Sequence, residues 1–190
     1  MRNNWVRKSR LMAVSAVGSL ALVACGGGGV SSTTAGGPTG ELDSAAVLRV
    51  TASAPTRNLD PYLQTSYGGW GYITPVFDRL TVVDGDGALK PALAESWEFA
   101  PDGTYLELRL RKDVTFHDGT PFDAAAVAAN IDRGKTMEGS TVTAALSDIT
   151  GVEAVDDHTV RLMLVPGTGV ELPGVFTTNV GMMVSPRAIE

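Results

Sequence analysis

Two histidines, His117 and His158, are the first candidates for chemistry in this chain, because imidazole binds metals and moves protons near neutral pH. Neither falls in an HxxxH or HExxH spacing, and no cysteine of the body can complete a ligand set, so no metal site is expected. Asp102, Asp113, Asp118 and Asp123 could in principle pair as general acid and base. Each has a plainer role in a turn, a loop or a helix cap. No GxSxG elbow follows the leader and no Cys/His pair can form, so the search for a nucleophile beside a base returns no catalytic residue. An enzyme is not expected, nor is a cofactor.

Aromatic side chains are the better lead. Tyr62, Tyr67, Trp70 and Tyr72 cluster among Gly68, Gly69 and Gly71. Aromatics on a glycine-rich segment can line a ligand pocket, which makes Tyr67 and Trp70 the candidate ligand contacts. Simple packing within the body accounts for them equally well. Trp97 reads as core.

The elements that would position these residues are legible in hydrophobic periodicity. Trp97 to Ala100 and Thr104 to Arg111 flank Pro101-Asp102-Gly103, a turn in which Pro presets φ and Gly accepts a positive one. Leu106, Leu108 and Leu110 alternate with Glu107, Arg109 and Arg111, the period of a half-buried strand. A hairpin follows from this. After His117-Asp118-Gly119-Thr120-Pro121, Asp123 is the expected N-cap of a helix with Ala124, Val127, Ala128 and Ile131 on one stripe. Phe122 is placed to staple onto Val127. Ile149 to Val155 and Thr159 to Val165, joined at Asp156-Asp157, form a second hairpin with Val160, Leu162 and Leu164 on its buried side. Further expectations are a strand at 46–51, a loop at Asp60-Pro61, a helix feeding a strand at Leu80 to Val83, a short helix after Pro166-Gly167, a strand over Val180 to Val184 and a helix from Ser185-Pro186.

The front end is a different kind of sequence. Arg2, Arg7, Lys8 and Arg10 precede an apolar run from Leu11 to Ala24, too short for the ~20 residues that span a bilayer. Residues 1–24 therefore read as an export signal. Leu22-Val23-Ala24-Cys25 resembles the lipobox of bacterial lipoproteins. That resemblance implies cleavage before Cys25 and a diacylglyceryl thioether on its sulfur, and two acyl chains hold a membrane stably where one does not. Cys25 is the only cysteine, so lipidation accounts for it and leaves none for a disulfide. Residues 25–42 then form a Gly/Ser/Thr linker of the composition that stays flexible. The glycine run at 26–29 follows no strand and opens no helix, which excludes a phosphate loop.

Fifteen Lys and Arg stand against 21 Asp and Glu. Removing residues 1–24, with four basic and no acidic residues, leaves 11 against 21 and a net charge of −10. Such a body lacks the basic footprint that nucleic acid requires. It also gains nothing from anionic lipid, so a membrane link would rest on the acyl group.

Five words recur in order over about 100 residues: Leu59-Asp60-Pro61, Phe77-Asp78-Arg79-Leu80, Leu93-Ala94-Glu95-Ser96-Trp97, Phe116-His117-Asp118-Gly119 and Asp156-Asp157-His158-Thr159-Val160. In these words and their spacing the chain, from about Val47 to Glu190, resembles the family 5 extracellular solute-binding proteins. The resemblance implies an α/β (α+β mixed) fold, part of lobe one of a type 2 periplasmic-binding-protein fold, with a small mixed sheet of hairpins and flanking helices. It implies a peptide or other small-molecule ligand, an ATP-binding-cassette permease and its ATPase as partners, and a place on the extracytoplasmic side of the cell membrane. It also places the segment carrying Tyr67 and Trp70 near the cleft between lobes. Residues 43–190 would be the amino-terminal portion of such a domain, with an exposed apolar face and a tendency to self-associate. Alone it would bind peptides weakly or not at all. The alternative is a truncated surface lipoprotein serving as an interaction module, or a non-functional remnant.

Overall fold

A computed structural model describes residues 45–47, 49, 51, 56, 58–65 and 67–189. The expected leader, Cys25 and the linker lie outside the described residues, as do Leu48 and Val50 of the strand expected at 46–51. The body falls in the unit Leu48–Glu190.

The two hairpins pair into one sheet. β3 (Ala94–Phe99) and β4 (Tyr105–Leu110) turn at Gly103, whose φ is 70°. β5 (Ile149–Asp156) and β6 (Thr159–Leu164) turn at Asp157-His158. The order is β3-β4-β6-β5, so the second strand of each hairpin meets at the centre. A smaller sheet pairs β1 (Thr81–Val83) with β2 (Leu89–Pro91). Every strand pairing among the described residues is antiparallel, as the two expected hairpins require, where the resemblance implied a small mixed sheet. The short turns explain this, since parallel neighbours need a long crossover.

One face of the larger sheet is apolar. Leu106, Leu108, Leu110, Val160, Leu162 and Leu164 are buried there, as their period-two spacing predicts. α2 (Ala124–Thr136) packs across β5 and β6. Asp123 caps it, its carboxylate accepting from the Ala126 amide at 2.8 Å. Phe122 and Val127 both join the core. The opposite face of the sheet is charged: Glu98, Glu107, Arg161 and Glu153 stand side by side on successive strands. Arg161 donates to Glu107 at 3.0 Å and lies over the Tyr105 ring at 4.7 Å.

Two expectations are corrected. The buried stripe of α2 is wider than its apolar residues: Ala128 is half-buried, whereas Ala126, Asn130 and Gly134 are buried beside Ala124, Val127 and Ile131. The helix is covered on more than one side, so a polar residue and a glycine face protein as well. The strand expected over Val180 to Val184 is instead a 3₁₀ turn, Asn179–Gly181, capped by the Thr178 hydroxyl, with only Met182 bridging to Arg79. A Cβ on Gly181 would lie 2.0 Å from the Phe176 carbonyl oxygen, a crowding that regular strand geometry does not create. The glycine-rich aromatic segment forms α1 (Tyr67–Ile73), the helix expected ahead of the strand at Leu80 to Val83. A Cβ on Gly69 would meet Gln64 Oε1 at 1.9 Å, and Gln64 is fixed by its Nε2 bonds to Asn58 and Asp60. Close approach explains that glycine better than flexibility does.

The remaining short elements match expectation: α3 (Leu172–Val175) follows the Pro166-Gly167 break and α4 (Pro186–Ile189) follows Ser185.

Candidate functional site

Three stretches distant in sequence meet beside α4 and enclose a hollow of about 290 Å³. Val76, Phe77 and Asp78 lead from α1 to β1, residues 114–118 and Phe122 form the turn before α2, and residues 183–185 with Ala188 close the third side. Phe116 and Phe122 meet edge to face with ring centres 5.9 Å apart, an arrangement that aromatic quadrupoles favour. Asp118 stands at the rim. Its Oδ2 accepts from the Ser185 hydroxyl at 2.6 Å and its Oδ1 from the Thr120 amide at 2.9 Å. The Ser185 hydroxyl, then the Thr120 amide, hold its pKa down to about 2, so it is anionic at every physiological pH.

The third wall is held by a residue that sequence reasoning passed over. Asn130 is fully buried on α2 and donates through Nδ2 to the carbonyls of Ala126, at 2.9 Å, and Val184, at 2.8 Å. Its Oδ1 accepts from the Val184 amide at 2.9 Å. One side chain thus imitates a strand neighbour for Val184.

A second, smaller hollow of about 200 Å³ continues past Phe77, Val184 and Ala188 to Leu59, Asp60 and Arg133. Arg133 forks onto both oxygens of Asp60 and lies over the Tyr62 ring at 5.4 Å. Tyr62 is fully buried, with its hydroxyl donating to the Met182 carbonyl at 3.4 Å. Burial pushes its phenol far above the usual range, with Asp60 adding to that effect and Arg133 opposing it.

Neither hollow is formed by the predicted contacts. Tyr67 opens α1, its side chain lying outside what is described, and Trp70 is half-buried on the same helix. The structure places both on one short helix and assigns neither a ligand. His117 is exposed at the rim of the larger hollow. His158 sits at the β5–β6 corner with its Nδ1 shielded and unpaired among the described residues. Among those residues no cluster of three His, Cys, Asp or Glu is arranged to hold a metal. Asp102 accepts from Thr104, Asp113 from Arg111, and Asp123 caps α2, the turn, loop and cap roles expected of them.

The model of the bacterial extracellular solute-binding proteins, family 5 middle region, matches residues 88–184, just over half of the chain. The chain belongs to that family. The matched stretch begins at the β1–β2 turn and ends at Val184, so it contains both hairpins, α2 and two walls of the larger hollow. Among family 5 relatives, the glutathione-binding protein GsiB of Escherichia coli K12 is 32% identical over 133 residues, 70% of this chain and 26% of that protein. The structure of AgaA of A. tumefaciens R10, in complex with agropinic acid, superposes with a TM-score of 0.66 at 28% identity, over 73% of this chain and 28% of that one. NikA of Brucella suis, in complex with Fe(III)-EDTA, superposes with a TM-score of 0.60 at 30% identity, over 68% and 26%. The fold is accordingly a mixed α/β part of a periplasmic-binding protein, with small antiparallel sheets. The chain spans about a quarter of the length of these curated relatives. No described helix is long and apolar enough to cross a membrane.

Proposed function

We propose that this chain contributes to a lipid-anchored receptor of an ATP-binding-cassette importer. The receptor captures a peptide or similar small solute outside the cytoplasm and hands it to a permease driven by its ATPase. The observation that carries this reading is the family 5 match over residues 88–184 laid on a fold shared with AgaA and NikA. The relatives' names give glutathione, agropinic acid and Fe(III)-EDTA as ligands, which favours a small solute. In this reading residues 1–24 direct export, Cys25 carries the lipid, residues 25–42 are the tether, and residues 43–190 are solute-binding domain. Capture is non-covalent, with Tyr67 and Trp70 on α1 as the solute contacts. Ligand pockets run from roughly 300 to 1,000 Å³ and enclose most of the ligand. The hollow of about 290 Å³ is too small to enclose a peptide, so capture needs walls from the rest of a receptor.

Two measurements test the reading. Fatty-acid labelling and fractionation should place the chain in the membrane with label attached, and Cys25→Ser should lose the label and release the protein. Label that survives Cys25→Ser overturns the anchor. Receptor isolated from membranes with antibody to residues 43–190 should gain thermal stability with one of glutathione, short peptides or a metal chelate. No gain across that panel, together with unchanged uptake of the same solutes in cells lacking the chain, overturns the receptor.

A further inference from the structure

Three of the seven residues of α1 are glycines, Gly68, Gly69 and Gly71. Glycine is the poorest helix former after proline, and a helix this short does not stand alone in water. What holds α1 is its buried side, Gly69 and Ile73, which lie four residues apart on one stripe. Gly69 rests on the carboxamide of Gln64, so closely that a Cβ there would stand 1.9 Å from Oε1 and 3.0 Å from Cδ. Gln64 is held in its turn. Its buried side chain donates through Nε2 to the Asn58 carbonyl at 3.0 Å, to Asn58 Oδ1 at 3.1 Å and to the Asp60 carbonyl at 3.0 Å. Asp60 is paired with Arg133 of α2. A run of contacts thus leads from α2 through Asp60 and Gln64 to the backbone of α1. Successive helix residues project about 100° apart, so the side that Gly69 turns to Gln64 decides where the half-buried Trp70 beside it is presented. Binding groups keep their geometry through neighbours whose own side chains are locked by hydrogen bonds. We propose that Gln64 is a positioning residue of the receptor, fixing the roll of α1 and with it the place at which Trp70 meets the solute.

The inference rests on the receptor reading, with Trp70 as a solute contact, and the test separates the two. Gly69→Ala, Gln64→Ala and the double variant of the purified full chain are unfolded with urea and followed by circular dichroism. In the parent, Gly69→Ala should lower the urea midpoint, because its methyl collides with the Gln64 carboxamide. In the Gln64→Ala background the same substitution should raise it, because alanine is the better helix former once the collision is gone. The variants are then made in cells, and receptor isolated with antibody to residues 43–190 is titrated calorimetrically with glutathione, trialanine and Fe(III)-EDTA. Gln64→Ala should weaken whichever of these the parent binds by about tenfold. Thr81→Val strips the Pro173 carbonyl of its buried hydroxyl donor, and should lower the melting temperature while leaving the affinity unchanged. Midpoint shifts of the same sign in both backgrounds overturn the seat. A reversal of sign with unchanged affinity, or equal weakening by Thr81→Val, overturns the positioning role and leaves the receptor. A parent that binds none of the three solutes overturns the receptor reading and the inference with it.

Discussion

Replacing Asn130 by Ala removes the side chain that ties α2 to the wall of the larger hollow. Two hydrogen bonds to Val184 disappear, and the Ala126 carbonyl loses a second donor. At roughly 1 kcal/mol net per bond, the two Val184 bonds are worth about 2 kcal/mol. Leaving a buried donor or acceptor unpaired costs about 1–3 kcal/mol in its own right, so the loss rises where water cannot reach the half-buried Val184. Alanine returns about 0.5 kcal/mol through its better helix propensity. The expected net loss is therefore about 2 kcal/mol, or about 1 M in the urea midpoint. Asn130→Asp is the sharper variant. It keeps the acceptor for the Val184 amide but sets a carboxylate oxygen against the carbonyls of Ala126 and Val184. It should cost more than alanine at neutral pH. Burial disfavours the charged carboxylate, so the deficit grows as pH rises from about 4, where an unfolded Asp ionises. Urea unfolding followed by circular dichroism reads both variants. An Asn130→Ala loss under about 0.5 kcal/mol, or an aspartate variant as stable as the parent at pH 7, refutes the clamp.

Gly181→Ala should destabilise by about 3 kcal/mol or more, because its Cβ would lie 2.0 Å from a backbone oxygen that cannot rotate away; a loss within 1 kcal/mol in the same urea assay would contradict that geometry. Arg133→Lys should lose nearly as much stability as Arg133→Ala, about 2 kcal/mol, because an ammonium cannot fork onto Asp60 while stacking on Tyr62. Full rescue by lysine would reduce the pair to simple charge. Asp118, whose folded pKa is depressed, contributes stability that is present above its unfolded value of about 3.9 and lost as pH falls towards about 2. Ser185→Ala should move the Asp118 titration upward in carboxyl carbon NMR, and an unmoved curve would exclude the hydroxyl as its main cause.

The parts of the fold written in local periodicity were readable beforehand. Leu106, Leu108 and Leu110, like Val160, Leu162 and Leu164, alternate because one face of the sheet is covered and the other is not, and Asp123 precedes a helix because its carboxylate must meet a free amide. Asn130 was not readable. An asparagine inside a helical pattern usually faces solvent, and its partner Val184 stands 54 residues away. The Arg133–Asp60–Tyr62 assembly is hidden for the same reason, with 73 residues between its charged members. Val180 to Val184 misled because β-branched residues favour strands while the crowding of Gly181 against Phe176 decides otherwise. The larger hollow is assembled from three separate stretches, none of which is unusual alone.

The charged row across the larger sheet bears on how far that sheet can grow. Its outermost strands, β3 and β5, carry exposed Glu95 and Glu98 on one border and exposed Glu153 and Asp156 on the other. A further strand would sit about 4.8 Å away. Any copy pairing border to border would bring its own carboxylates against these, and like charges facing across strands are unfavourable. Arg109 and Arg161 of the interior strands both pair with Glu107. The border charges thus oppose further strand pairing, a safeguard against fibrillar stacking that acid or high salt would weaken.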